Sequence, residues 1–134
     1  MIYFESVDRE LPPLDYVSNW FEEICTQEDF DLGELSIVFG SDEWLLEQNI
    51  NFLQHDFYTD IITFDYCENK LISGDILISL DRVNDNANRF NVSRETELNR
   101  VLVHGLLHLC GYSDKMDSNQ KIMRKKQDYY LSLL

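Results

Sequence analysis

Two histidines four residues apart lie in an apolar run near the C-terminus, His104-Gly105-Leu106-Leu107-His108-Leu109-Cys110-Gly111-Tyr112-Ser113-Asp114. On a helix, positions i and i+4 share one face. Both imidazoles can therefore reach one ion while Val101, Leu102, Leu106, Leu107 and Leu109 anchor the segment in a core. A tetrahedral Zn²⁺ on two histidines needs one more protein ligand, leaving the fourth position for water. Gly111 can take positive φ and end the helix, which lets the chain turn back and bring Asp114 toward the same ion. Asp117 and Cys110 are the alternatives for that ligand. An Asp after a helix is also an ordinary turn residue, and a cysteine in an apolar helix usually packs. The pattern predicts one zinc ion held by His104, His108 and Asp114.

The elements that must position these groups follow an α+β order. Ser93 is placed to cap the metal-bearing helix, Arg94 to Cys110. A last helix starts near Asp117-Ser118-Asn119-Gln120, a capping-box-like pattern. Upstream, Pro12-Pro13 opens a helix of about 12 residues carrying Leu14, Val17, Trp20, Phe21 and Ile24 at helical spacing. Glu34 to Phe39 reads as a strand, and Ser41 caps a helix with Asp42 and Glu43 in its first turn. Thr59 to Tyr66 and Leu71 to Leu80 read as neighbouring strands joined by a hairpin-length connection, Cys67 to Lys70. Asp81 to Phe90 is a polar helix or loop. The expected fold is a small mixed β-sheet of about four strands packed with about five helices, with a zincin-like metal site on a helix. At 134 residues the chain forms one domain, 1–134, large enough for a real core.

The chain opens Met1-Ile2-Tyr3-Phe4-Glu5, with no basic leader or long apolar run, which argues against secretion and a membrane span. Three widely spaced cysteines, Cys25, Cys67 and Cys110, fit reduced thiols in cytoplasm. The net charge of −14 should repel polyanions, yet it is unevenly spread. Residues 1 to 75 carry 18 acidic and 2 basic side chains, whereas residues 76 to 134 carry 7 acidic and 9 basic. The histidine motif lies in the less repulsive half. Arg82, Arg89, Arg94, Arg100, Lys115, Lys121, Arg124, Lys125 and Lys126 form either a modest phosphate track or solvated helix faces. The acidic half either meets a basic protein or keeps the chain soluble.

The histidine segment resembles the YbeY family of bacterial endoribonucleases and ribosomal RNA maturation factors, whose signature is H-G-x-L-H-L-x-G-Y-D-H. His104, Gly105, Leu107, His108, Leu109, Gly111 and Tyr112 match in register. Asn49, Phe52, Asp56 and Thr59-Asp60-Ile61-Ile62-Thr63-Phe64 look like its N-x-x-[YF]-R-x-x-D-x-P-T-D-V-L-S-F block. Gly74-Asp75-Ile76 with Ile78-Ser79 looks like its G-D-I-x-I-S block. The resemblance implies a metallohydrolase fold with one zinc, single-stranded RNA as substrate, and work on ribosomal RNA with the small ribosomal subunit or its assembly factors. Two departures bear on mechanism. Asp114 stands where the family usually has a third histidine, which lowers the formal charge of a Zn²⁺ site from +2 to +1 and weakens the Lewis acid. Leu53 stands where the family usually has an arginine, and leucine offers no clamp on phosphate.

Two other function classes share these residues. The spacing H-x-x-x-H-x-x-G-x-x-D is also the zinc frame of metzincin peptidases, whose general base is a Glu after the first histidine; here that residue is Gly105, which accepts no proton. A non-catalytic ribosome-assembly factor would use zinc only to pin the last two helices, and Leu53 favours it. Asp60 and Asp75 are either partners of the site or holders of turns and backbone amides. His55, in a polar loop, is expected to be exposed.

Overall fold

A computed structural model describes residues 1–134. Four strands, β1 (Ile2–Ser6), β2 (Asp31–Gly40), β3 (Ile61–Asp65) and β4 (Leu71–Ser79), form one sheet in the order β1-β2-β4-β3. Both β1 and β4 run parallel to β2, and β3 is antiparallel to β4. The five helices are α1 (Val17–Gln27), α2 (Asp42–Leu53), α3 (Leu80–Phe90), α4 (Arg94–Leu109) and α5 (Asp117–Leu131). This is the mixed α+β arrangement that the sequence predicts.

Strand alternation assigns the two faces of the sheet. Ile76 and Ile78 of β4, with Leu35, Ile37 and Phe39 of β2, meet Phe21 and Ile24 of α1 and Leu102 and Leu106 of α4 in the main core. Leu77 and Ile62 point the other way, onto Leu45 of α2. At about 25 cal/mol per Å² of apolar area removed from water, these two layers carry most of the drive to fold.

Some boundaries differ from the sequence reading. Strand β1 is an addition: Ile2 and Phe4 are half-buried while Tyr3 and Glu5 are exposed. Five residues of alternation are too short a signal to separate from an irregular end without the partner strand. Helix α1 starts at Val17, not at the prolines. A residue before proline is disfavoured in the α region, and Leu14 is drawn into the core, so Pro12-Pro13 belong to the lead-in. Asp81 to Phe90 is helical, with Ser79 as the cap accepting from the Arg82 N–H at 3.1 Å. In α5 the expected capping box does not form. Met116 occupies the N-cap without a side-chain bond, and Gln120 donates instead to the Asp114 carbonyl at 2.9 Å.

Candidate metal centre

Helix α4 presents both histidines because its two ends are well determined. The Ser93 hydroxyl accepts from the Thr96 N–H at 3.0 Å, and Glu95 and Glu97 in the first turn complement the helix dipole. At the other end Gly111 has φ +102°. The Tyr112 N–H returns to the Leu107 carbonyl and the Gly111 N–H to the His108 carbonyl, each at 3.0 Å. That is the bonding of a Schellman motif, with glycine in the left-handed position. Gly105 lets α4 lie close on the sheet. A Cβ there would come within 2.8 Å of Ile61 Cδ1.

The turn brings Asp114 back over the histidines. His104 Nε2 and His108 Nε2 are 3.0 Å apart, and Asp114 Oδ2 lies 3.4 Å from the first and 3.7 Å from the second. A tetrahedral ion with bonds of about 2.0–2.1 Å spaces its ligand atoms about 3.3 Å apart. The three observed distances bracket that value, so the donor set fits one divalent cation. The side chains are 23%, 29% and 43% exposed, which leaves the metal position open on one side. Burial, then the neighbouring imidazole of His108, holds His104 below the ordinary histidine value despite Asp114. Its ring is neutral at pH 7, the form that ligates. The two alternative ligands fall outside this group: Asp117 is exposed at the start of α5, and Cys110 is a half-buried residue at the end of α4.

Two supports were not legible in the motif. Buried Gln127 of α5 places its amide nitrogen 2.5 Å from His104 Nδ1. With a metal on Nε2 the Nδ1 carries the proton, and rotation of the amide presents the Gln127 oxygen to it. Glu28, just past α1, receives Tyr112 Oη at 2.5 Å, Lys126 Nζ at 3.0 Å and the Tyr130 hydroxyl. This clasp ties α5 and the turn before Asp114 to α1. Burial works against the Glu28 charge, but the two phenols and the ammonium outweigh it and hold its carboxyl below the ordinary value. Glu28→Gln should therefore cost about 1–2 kcal/mol at neutral pH. The loss is expected in full above the unfolded carboxyl value of about 4.3 and should shrink as pH falls through the lower folded value. Urea unfolding of both proteins from pH 7 to pH 3 checks this; a pH-independent difference would reject the clasp.

The structure sorts the basic side chains. Arg82 is bound to Asp42 at 2.8 Å and Lys126 to Glu28, while Arg94 lines a separate cavity beside Arg9. Arg124 borders a cavity of about 210 Å³ with His104 and Asp114, and no carboxylate lies within 4 Å of it. Arg100 borders a second cavity with His104. Leu53 lines a different groove with Asn49, His55 and Thr63. His55 is exposed and stacks on Phe57 at 5.2 Å. Asp60 borders the Arg100 cavity, where burial raises its carboxyl above the ordinary value. Asp75 instead faces Tyr66, away from the histidines.

Residues 4–134 match the family model described as Endoribonuclease YbeY. Two curated proteins named Endoribonuclease YbeY are similar over nearly their whole length. That of Cytophaga hutchinsonii is 51% identical over 130 residues, 96% of this chain and 91% of that protein. That of Phocaeicola vulgatus is 42% identical over 136 aligned residues, 100% of this chain and 99% of the relative. The solution structure of a Thermotoga maritima protein superposes with a TM-score of 0.74 at 32% identity, covering 98% of this chain and 87% of that one. With matches of this extent, and with the family's histidine pair converging on one point in the fold, the chain belongs to the YbeY family.

Proposed function

We propose that this chain is a zinc-dependent endoribonuclease of single-stranded RNA, a single metallohydrolase domain over residues 1–134 that acts in the cytoplasm on small-subunit ribosomal RNA, together with the small subunit or its assembly factors. The observation that supports it most is the convergence of His104, His108 and Asp114 beside two arginine-bordered cavities in a YbeY chain. No helix is long and apolar enough to cross a membrane.

His104, His108 and Asp114 would hold the zinc. Bound there, the ion supplies Lewis-acid stabilisation of charge on phosphoryl oxygen and lowers the pKa of water. The chain's own residues do the rest. Asp114 brings one negative charge, while Gln120 and the Gly111 turn hold its backbone in place. The free guanidinium of Arg124 takes the phosphate-binding role that Leu53 cannot fill. Exposed Phe57 and Phe90 offer faces on which unpaired bases stack, which favours single strands over duplex.

Metal content by elemental analysis and cleavage of labelled RNA test this together. One zinc per chain is expected, with cutting of a single strand but not its duplex, loss of activity with chelator and recovery on adding zinc. Arg124→Ala should cut about a hundredfold more slowly with its metal content unchanged. Products ending in a cyclic phosphate would identify the RNA 2′-hydroxyl as nucleophile and exclude direct attack by water. Stoichiometric zinc without cleavage of any RNA would overturn the nuclease reading in favour of an assembly factor, the reading to which Leu53 points.

A further inference from the structure

Beside the metal ligands lies a cavity of about 250 Å³, lined by Asp60, Asn86, Phe90, Glu97, Arg100 and His104 among others. Pockets for drug-sized ligands run to about 300–1,000 Å³, so this one suits a single ring system. Glu97 is two helical turns before His104 and lies on the same face of α4. It is 3% exposed, and its Oε1 accepts no hydrogen bond; the closest cation, Arg100 Nε, is 3.9 Å away. A buried carboxylate oxygen left without a donor is costly, and a ligand that donates to it removes the cost. Asp60 is the second carboxylate on the wall, and neither of its oxygens is a buried atom without a partner.

We propose that this cavity is a base-specificity pocket for guanine, read by the Glu97 carboxylate and stacked by Phe90. The chemistry selects the base. Carboxylate oxygens only accept, so the preferred partner presents adjacent donors. On its Watson–Crick edge guanine offers N1–H beside the N2 amino group, a pair that matches both oxygens of one carboxylate. Adenine and cytosine present one amino group next to an acceptor, and uracil presents N3–H between two carbonyls. Guanine O6 is an acceptor, and Arg100 and Asn86 on the same wall are donors for it. Phe90, 56% exposed at the rim, supplies the stacking face. Burial, helped by the Asp60 charge, raises the Glu97 carboxyl above its ordinary value despite Arg100, as expected of a carboxylate that lacks donors.

The pocket rests on the RNA reading above for its biological meaning but is tested without cleavage. The zinc-loaded protein is titrated with the four nucleoside 5′-monophosphates by calorimetry. Their phosphates are identical, so any difference reports the base. GMP should bind about tenfold tighter than AMP, CMP or UMP, the gain typical of one bidentate contact. Glu97→Gln should bring the four within about threefold of one another, because its amide replaces one acceptor with a donor. Phe90→Ala, at an exposed position that cannot endanger folding, should weaken GMP and narrow the range if Glu97→Gln proves unstable. Equal affinity for the four nucleotides in wild type, or no binding of any, overturns the pocket even if RNA is cleaved. Selective GMP binding in a protein that cuts no RNA upholds the pocket and rejects the nuclease reading.

Discussion

His108→Ala is expected to purify without bound metal, to cut single-stranded RNA more than about a thousandfold more slowly than wild type, and to remain folded. The first two effects share a cause. His104 and Asp114 alone leave two donors 3.4 Å apart, too few to hold a zinc ion against water and buffer. The third follows from position. His108 is 29% exposed on the outer side of α4, while Leu102, Leu106 and Leu107, which fasten that helix, are fully buried and untouched. Elemental analysis, an RNA time course and circular dichroism on one preparation read all three. Unfolding of the variant would mean that the metal contributes folding energy outright, as a structural zinc does, and would reject the catalytic assignment.

The second large effect is on stability. Gly105→Glu rebuilds the peptidase motif on paper, placing a Glu after the first histidine. The fold has no room for it. A Cβ at position 105 would lie 2.8 Å from Ile61 Cδ1 and 3.3 Å from two side-chain carbons of Ile76, at a fully buried point where α4 crosses the sheet. The added side chain overpacks this contact at about 1–3 kcal/mol and buries a carboxylate without a partner at several kcal/mol more. The sum is on the order of a whole domain's stability, so the variant should be insoluble or unfolded. Gly105→Ala should lose only about 1 kcal/mol, because the clashing atom ends a flexible isoleucine that can move. Urea unfolding separates the two. A folded Gly105→Glu protein that digests casein with added zinc would show that this site accepts a peptidase base after all.

Gly105 also shows how far the motif can be read. Its identity removes the peptidase base, a conclusion that needs no coordinates, but the reason for glycine lies in its contact with Ile61 and Ile76, which are 44 and 29 residues upstream. Asp114 is similar. Gly111 makes a reversal plausible from sequence, and the Schellman bonds confirm the turn, whereas the 3.4 and 3.7 Å approach to the imidazoles depends on the Glu28 clasp and on Gln120. Glu97 was within reach, since a seven-residue offset from His104 places it on the same helical face. Its lack of a hydrogen-bond donor was not.

The mixed α+β class, the capped helix that carries both histidines, and the resemblance of three blocks to YbeY can all be read from the order of the amino acids. Those rest on local signals: 3.6- and 2-residue periodicity, capping chemistry and residue spacing along one helix. The folded chain was needed to see that β1 completes the sheet, that Arg124 and not Leu53 borders the metal ligands, and that Glu28, Gln127 and Glu97 gather around them. These contacts join residues far apart in the chain. Their geometry is set by how helices pack across a sheet, which hydrophobic burial drives without direction and which no local pattern encodes.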